Sequence, residues 1–143
     1  MKYLDKEGLA YFWEKVKPQF GEQTVLWQGS YLMSASETIN LTNTPVLNQQ
    51  NGIVLVFSAY ENNAPKEYDF KTYFIPKEMV TLKSGVGYDF WFNTASFGYV
   101  GAKYIYISNT EIKGHSNNTT TGTGTTGIKY TNNHWCLRYV IGV

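Results

Sequence analysis

The residue types that most often carry catalysis or bind metals are scarce in this sequence. Its 143 residues include two histidines, His115 and His134, and one cysteine, Cys136. On a strand, His134 and Cys136 would share a face, but no neighbour orients the histidine as a base or activates the thiol. A zinc site needs several ligands at a convergent spacing, which is not found here. We therefore predict no cysteine nucleophile, metal or cofactor, and we expect Cys136 to be a buried small hydrophobe.

A second candidate chemistry is glycoside hydrolysis by a pair of carboxylates. Asp69 and Asp89 flank aromatic segments, and most glycoside hydrolases act with a pair of carboxylates on either side of the sugar. Nothing in the sequence brings these two residues together, so a small glycan depolymerase stays an alternative. The glycine pairs at 85/87 and 122/124 lack the strand, helix and Lys-Ser/Thr context of a phosphate-binding loop. The main expectation is a protein that is not an enzyme.

Aromatic and amide side chains suit the recognition of saccharides. Rings stack on the C–H faces of sugars, and amides hydrogen-bond pairs of hydroxyl groups. For tryptophans in apolar segments (Trp27, Trp91 and Trp135) the competing expectation is packing in a core or at a subunit interface. For asparagines it is turn formation. The candidate ligand-binding residues are Tyr60, Asn62, Asn63, Tyr68, Trp91, Asn93, Asn117, Asn118, Tyr130, Asn132 and Asn133.

Charge and hydropathy exclude several partners. The chain has 12 basic and 11 acidic residues, for a net charge of +1, whereas nucleic acids and anionic membranes require concentrated positive charge. The first residues are charged and are not followed by an apolar segment, and no apolar run is long enough to span a bilayer. We expect no nucleic-acid partner, no signal peptide, no membrane insertion, and synthesis in a cytoplasm.

The elements that would position these side chains begin with a helix. The pattern predicts a helix from Asp5 to Lys17, with Asp5 as its N-cap and Pro18 ending it. One apolar stripe follows the helical spacing and comprises Leu9, Phe12, Trp13 and Val16. A helix this short is marginal alone, so the stripe needs a partner. That partner is either the remainder of the chain or the same helix in neighbouring subunits.

Short β-rich segments follow, with turn signals between them. Predicted strands cover residues 24–33, 38–41, 53–58, 70–75, 88–92, 97–100, 103–108 and 135–143. The apolar run 53–58 predicts a central strand covered on both faces, and the Thr/Gly-rich segment 115–127 predicts a mobile exposed loop. The fold class is mainly β: a short N-terminal α-helix (1–22), then an antiparallel β-sandwich or jelly-roll-like domain (23–143).

Residues 3–17 (YLDKEGLAYFWEKVK) resemble a Leu-Asp-x-x-Gly-Leu-x-x-Phe-Trp-x-Lys segment. That segment recurs in tail, baseplate and fibre proteins of tailed bacteriophages that infect Gram-positive bacteria. Further segments are similar to a C-terminal module of such proteins: WQGSYLM (27–33), NGIVLVFS (51–58), YFIPK (73–77), KYIYIS (103–108) and LRYVIGV (137–143).

The resemblance implies a virion structural protein near the host-contacting end of the tail. It implies a homotrimer whose helices pack through Leu9, Phe12, Trp13 and Val16, with other tail or baseplate proteins as partners. The β-domain would bind a cell-wall saccharide or another surface receptor, although no receptor contact or catalytic motif carries over by residue. The chain lacks a long shaft, which favours a compact baseplate or tail-tip component. A purely structural connector in the tail is the alternative.

Overall fold

The computed structural model describes residues 5–16 and 23–143, which form an N-terminal helix, a second short helix and eleven strands. The helices are α1 (Lys6–Val16) and α2 (Lys77–Leu82). The strands are β1 (Thr24–Tyr31), β2 (Thr38–Asn40), β3 (Gly52–Glu61), β4 (Ala64–Pro65), β5 (Lys71–Pro76), β6 (Val86–Asn93), β7 (Val100–Ile107), β8 (Glu111–Lys113), β9 (Thr121–Thr123), β10 (Lys129–Thr131) and β11 (Trp135–Gly142). Short 3₁₀ turns lie at Val46–Asn48, Ser116–Thr119 and Asn132–His134.

Two antiparallel sheets pack face to face in a sandwich-like arrangement, which confirms the predicted fold class. The first sheet has the order β1-β11-β3-β5, and the short β4 pairs with the end of β3. The second has the order β2-β8-β7-β6, and β9 and β10 form a separate hairpin. The apolar C-terminal strand β11 lies inside the first sheet, between β1 and β3. The strand predicted at 135–143 is therefore also confirmed.

Aromatic rings join the two sheets. Phe57 of β3 meets Phe92 of β6 edge to face, with ring centroids 5.0 Å apart. Phe92 also stacks on Trp135 of β11 at 5.2 Å. These rings are fully or almost fully buried and form one apolar cluster with the inward-facing residues of both sheets. Burial of this aromatic and aliphatic surface is the main stabilising contribution to the sandwich.

Helix α1 begins as its sequence predicts. The N–H of Gly8 donates to Asp5 Oδ1 at 2.7 Å, so Asp5 caps the free amides of the first turn. No residue of α1 is buried, and Leu9 and Phe12 are 56% and 51% exposed. The rest of the described chain therefore leaves most of the apolar stripe uncovered. Lys17 and Pro18, on which the predicted end of the helix depends, lie outside the described residues.

The outer face of the first sheet is also apolar and lacks a covering layer in the described chain. The expectation that strand 53–58 is covered on both faces was therefore wrong. Strand β3 is central, but Val54 is only half-buried. Cross-strand register places it in one row with Val25 of β1, Ile141 of β11 and Phe74 of β5. We call Val25, Ile141, Val54 and Phe74 the apolar row. An unbroken apolar sequence could not reveal that one of its faces lacks a covering layer.

The structure differs from the sequence-based expectation at three other places. Residues 97–99 form a turn in which Phe97 has a positive φ of 54°, and the strand begins at Val100. Helix α2 was missed because six residues following a proline carry too little helical periodicity. The segment 115–127, expected to be a mobile exposed loop, is mostly exposed, but it contains a 3₁₀ turn and strand β9. No helix in the described ranges is long and apolar enough to cross a membrane.

Candidate functional site

A groove crosses the outer face of strands β6 and β7. It consists of two clefts of about 350 and 510 Å³ that share Ala102, Asn117 and Asn132 in their walls. The strands form its floor, and the segment between His115 and Asn132 forms its wall. Volumes in this range accommodate small ligands. We call this feature the groove.

Strand register arranges the floor in pairs. Trp91 lies opposite Ala102, and Asp89 lies opposite Tyr104. Because Ala102 is small, the Trp91 ring has no large neighbour across the strand pair, and Trp91 is 66% exposed. The Tyr73 hydroxyl of the opposite sheet donates to the Trp91 carbonyl, which ties the edge strand β6 in place. The result is a flat indole face presented to solvent on a supported strand.

Glycine on β6 creates the space that the Tyr104 ring occupies. A Cβ atom added to Gly87 would lie 2.2 Å from Tyr104 Cζ, so the ring lies over the glycine backbone. Tyr104 meets Tyr106 edge to face, with centroids 5.4 Å apart, and it meets His115 in the same way at 5.4 Å. These three rings form an aromatic cluster beside Asp89.

Two asparagines attach the wall to β7. Strand β8 pairs with Tyr106 and Ile107 of β7, and no other described strand pairs with the first half of that β7 edge. Asn118 Oδ1 accepts from the Tyr104 N–H at 2.6 Å, and Asn132 Oδ1 accepts from the Ala102 N–H at 2.8 Å. The side chains thus replace a missing strand, which explains how a polar segment without a core is ordered.

A buried lysine supports the same wall from below. Lys103 has no exposed surface, and its Nζ donates to the carbonyls of Asn118 at 2.7 Å and Leu32 at 2.9 Å. Desolvation by burial lowers the pKa of Lys103 to about 7. A neutral amine has two N–H groups, which match these two acceptors. Lys103 therefore has a positioning role, since it holds the 3₁₀ turn of the wall against the chain near β1.

The predicted ligand-binding residues fall into separate places. Trp91, Asn117, Asn118, Tyr130 and Asn132 line the groove. Of these, Asn118 and Asn132 are occupied by backbone contacts, whereas Trp91, Asn117 and Tyr130 present side chains to the groove. Tyr60, Asn62, Asn63 and Asn133 line a second cleft on the other side of the 132–134 turn. Tyr68 and Asn93 line neither of these clefts.

The second cleft carries its own polar contacts. His134 stacks on Tyr99 with centroids 4.0 Å apart, and its Nε2 lies 3.7 Å from Glu61 Oε1. Burial lowers the pKa of His134, and Glu61 Oε2 accepts from the Tyr68 hydroxyl at 2.7 Å. Asn62 and Asn63 have positive φ values of 54° and 58°, so turn formation accounts for their presence. The His134, Glu61 and Tyr68 contacts therefore hold the loops that line this cleft of about 400 Å³.

Several residues of the groove were not predicted as ligand contacts. Asp89 was considered only as an acid, and Tyr104, Tyr106 and His115 were not candidates. The alternation Asp89-x-Trp91 and Tyr104-x-Tyr106 could have indicated one polar aromatic face, because side chains two apart on a strand share a side. The pairing of β6 with β7, which joins the two patterns, is not encoded in either segment alone.

The other chemical candidates do not assemble. Asp69 accepts hydrogen bonds from Lys71 Nζ and Trp135 Nε1, and it does not line the groove that holds Asp89. Cys136 is buried, as predicted, and desolvation raises the pKa of its thiol to about 11. In the described ranges, no three His, Cys, Asp or Glu side chains are grouped to hold a metal ion.

Compared with protein-family models, with curated proteins and with solved structures, the chain matches none of them. The features that bear on function are therefore the groove and the uncovered apolar surfaces.

Proposed function

We propose that this protein is a structural component of a bacteriophage tail tip or baseplate that binds a saccharide on the host cell surface. The observation that carries the proposal is the groove: an exposed Trp91 beside open amide and hydroxyl groups on a supported sheet. A sugar ring would stack its C–H face on Trp91. The Asn117 side chain makes no hydrogen bond within the described residues and is free to bind hydroxyl groups.

Two uncovered apolar surfaces support a role within a larger particle. The stripe of α1 and the apolar row on the first sheet both expose large side chains, including Phe12 and Phe74. Exposed apolar patches rimmed by polar residues mark interaction sites. We propose that the helices pack together in a homotrimer through Leu9, Phe12, Trp13 and Val16, and that other tail or baseplate proteins contact the assembly.

Two alternative functions, a structural connector and a glycan depolymerase, have less support than receptor binding. The same apolar surfaces would serve a structural connector without receptor binding, but a connector gives no reason for an open groove with an exposed indole. A glycan depolymerase has less support. Asp89 is the one carboxylate among the groove residues of the described chain, whereas glycoside hydrolysis usually needs two.

The test is binding of the purified full chain, in its assembled state, to Gram-positive cells and to their isolated wall polysaccharide. Specific, saturable binding to both is expected, and the polysaccharide should keep its length after incubation. Absence of binding by a correctly assembled oligomer would overturn the receptor role. Capture of other tail proteins without cell binding would favour the connector, and shortened polysaccharide would favour the depolymerase.

A further inference from the structure

The charge of the groove is unbalanced. Asp89 lines it, and no lysine or arginine does within the described residues. Other acids on this protein have partners: Asp69 pairs with Lys71, and Glu67 pairs with Arg138. Asp89 makes no ion pair or hydrogen bond in the described chain. The groove therefore presents one uncompensated negative charge to a ligand.

The histidine of the groove does not offset this charge. His115 Nδ1 accepts a hydrogen bond from the Asn117 N–H at 3.1 Å. This ring nitrogen is occupied by a backbone contact within the wall, and His115 makes no ion pair with Asp89 among the described residues. The strand paired with β6 carries Lys103, but its side chain is fully buried and donates to the carbonyls of Leu32 and Asn118. Glu111 and Lys113 of β8 line a separate cleft together with Tyr106.

The surroundings of Asp89 suit a cation. Tyr104 lies directly opposite it across the β6–β7 pair, and Trp91 is two residues away on the same face. Tyr106 and His115 complete the aromatic cluster, with their centroids 6.1 Å apart. A carboxylate together with the faces of aromatic rings attracts an ammonium group, by charge-assisted hydrogen bonding and by cation–π attraction. The same carboxylate repels anionic substituents.

We propose that the groove recognises a saccharide that carries a primary amine, such as an amino sugar or an aminoacylated sugar. The ammonium group lies between the Asp89 carboxylate and the Tyr104 ring, and the sugar ring stacks on Trp91. This inference rests on the proposed function, because it names the ligand class of the same groove. The ligand that fits these contacts is a sugar with a protonated amine and no anionic substituent.

The experiment compares fully deacetylated glucosamine oligosaccharides with N-acetylated oligosaccharides of the same length. Their affinities for the full chain are measured by calorimetry at low ionic strength, at a pH where the sugar amines are protonated. We expect the amine form to bind about tenfold more tightly, as a partly shielded ion pair predicts. Asp89→Asn should abolish this preference, and added salt should weaken it. Glu78→Gln, which removes an exposed carboxylate of α2 outside the groove, should leave the preference unchanged.

Several results would overturn the inference. They are equal affinity for the two oligosaccharides, tighter binding of the acetylated form, a preference retained in Asp89→Asn, and no binding of the amine form. None of these depends on the outcome with whole cells. Binding to cells and wall polysaccharide without an amine preference would leave the proposed function standing and remove only the ligand class. Failure to bind cells and polysaccharide would remove the receptor role itself.

Discussion

Asn118 joins the wall of the groove to its floor by holding both backbone polar groups of Tyr104. Its Oδ1 accepts from the Tyr104 N–H at 2.6 Å, and its Nδ2 donates to the Tyr104 carbonyl at 2.8 Å. The second proton of Nδ2 goes to the Met33 carbonyl at 2.6 Å. The side chain is only 1% exposed, so water cannot easily replace these contacts. One amide thus connects three parts of the chain.

Replacing this amide should destabilise the protein. Asn118→Ala leaves the Tyr104 N–H, the Tyr104 carbonyl and the buried Met33 carbonyl without their partner, and each loss has a desolvation cost. We expect the free energy of unfolding in urea to fall by about 2–4 kcal/mol. Asn117→Ala, at an exposed neighbouring position, is the matched control and should change it by less than about 0.5 kcal/mol. Equal stability of the two variants would contradict the anchoring role.

Lys103 should make stability depend on pH. Its pKa is about 7 in the folded protein and about 10.4 in an unfolded chain. Between these values the unfolded state binds more protons, so the Lys103 contribution to stability rises with pH, by at most about 1.4 kcal/mol per pH unit. Below about pH 7 both states are protonated and the contribution becomes constant.

Lys103→Met isolates this effect. Methionine removes the titrating amine and leaves the carbonyls of Leu32 and Asn118 unpaired, so the wild type should be the more stable protein at high pH. Its advantage should shrink as the pH falls towards 7, as measured by urea unfolding over a pH series. Parallel pH profiles of wild type and variant would show that Lys103 does not titrate in this range.

Trp91 should matter for binding and little for folding. Trp91→Ala removes the stacking face, and we expect affinity for the wall polysaccharide to fall by about tenfold to hundredfold. Because the side chain is 66% exposed, the unfolding free energy should change by less than about 1 kcal/mol. Leu82→Ala removes another exposed apolar side chain, 72% exposed and outside the groove. It should leave binding intact, and equal losses in both variants would exclude Trp91 as the contact.

Gly87 should control the position of the Tyr104 ring. In Gly87→Ala the new Cβ would overlap the ring, 2.2 Å from Cζ, so the ring must swing away. We expect a cost of about 1 kcal/mol in stability and weaker binding of the saccharide. In a Tyr104→Ser background the overlap is absent, so the same alanine should have almost no further effect on stability. A double-mutant cycle measures this coupling, and additive effects would contradict the proposed contact.

The apolar stripe of α1 should control assembly. Replacing Leu9 and Phe12 together by serine should convert the expected trimer to a monomer at micromolar concentration, as measured by light scattering. The thermal midpoint of the β-domain should persist, because no residue of α1 is buried in the single chain. Glu14→Gln, a change at a charged position of the same helix, should leave the trimer intact. A monomeric wild type would rule out a constitutive assembly.

The sequence alone determined those elements whose signals lie within a few neighbouring residues. The Asp5 cap, the α1 stripe, strands β1 and β3, and the apolar strand β11 could be predicted, because helix capping and strand alternation act over a few positions. Burial of Cys136 followed from its apolar neighbours in the same way. The missed helix α2 and the wrong strand at 97–100 are short segments, in which such patterns carry little information.

Only the tertiary structure decided where the groove lies and why the 115–127 segment is ordered. The contacts that hold this segment join distant residues: Asn118 with Met33 across 85 positions, and Lys103 with Leu32 across 71. The polar composition of this segment predicts mobility because it contains few apolar residues. Composition contains no information on the long-range hydrogen bonds that attach the segment to the open edge of β7. Likewise, Trp91 reads as a core residue in its sequence, and the pleat of an edge strand turns it towards solvent. Which face of a strand is covered depends on the packing of the sheets, and packing is a property of the whole chain.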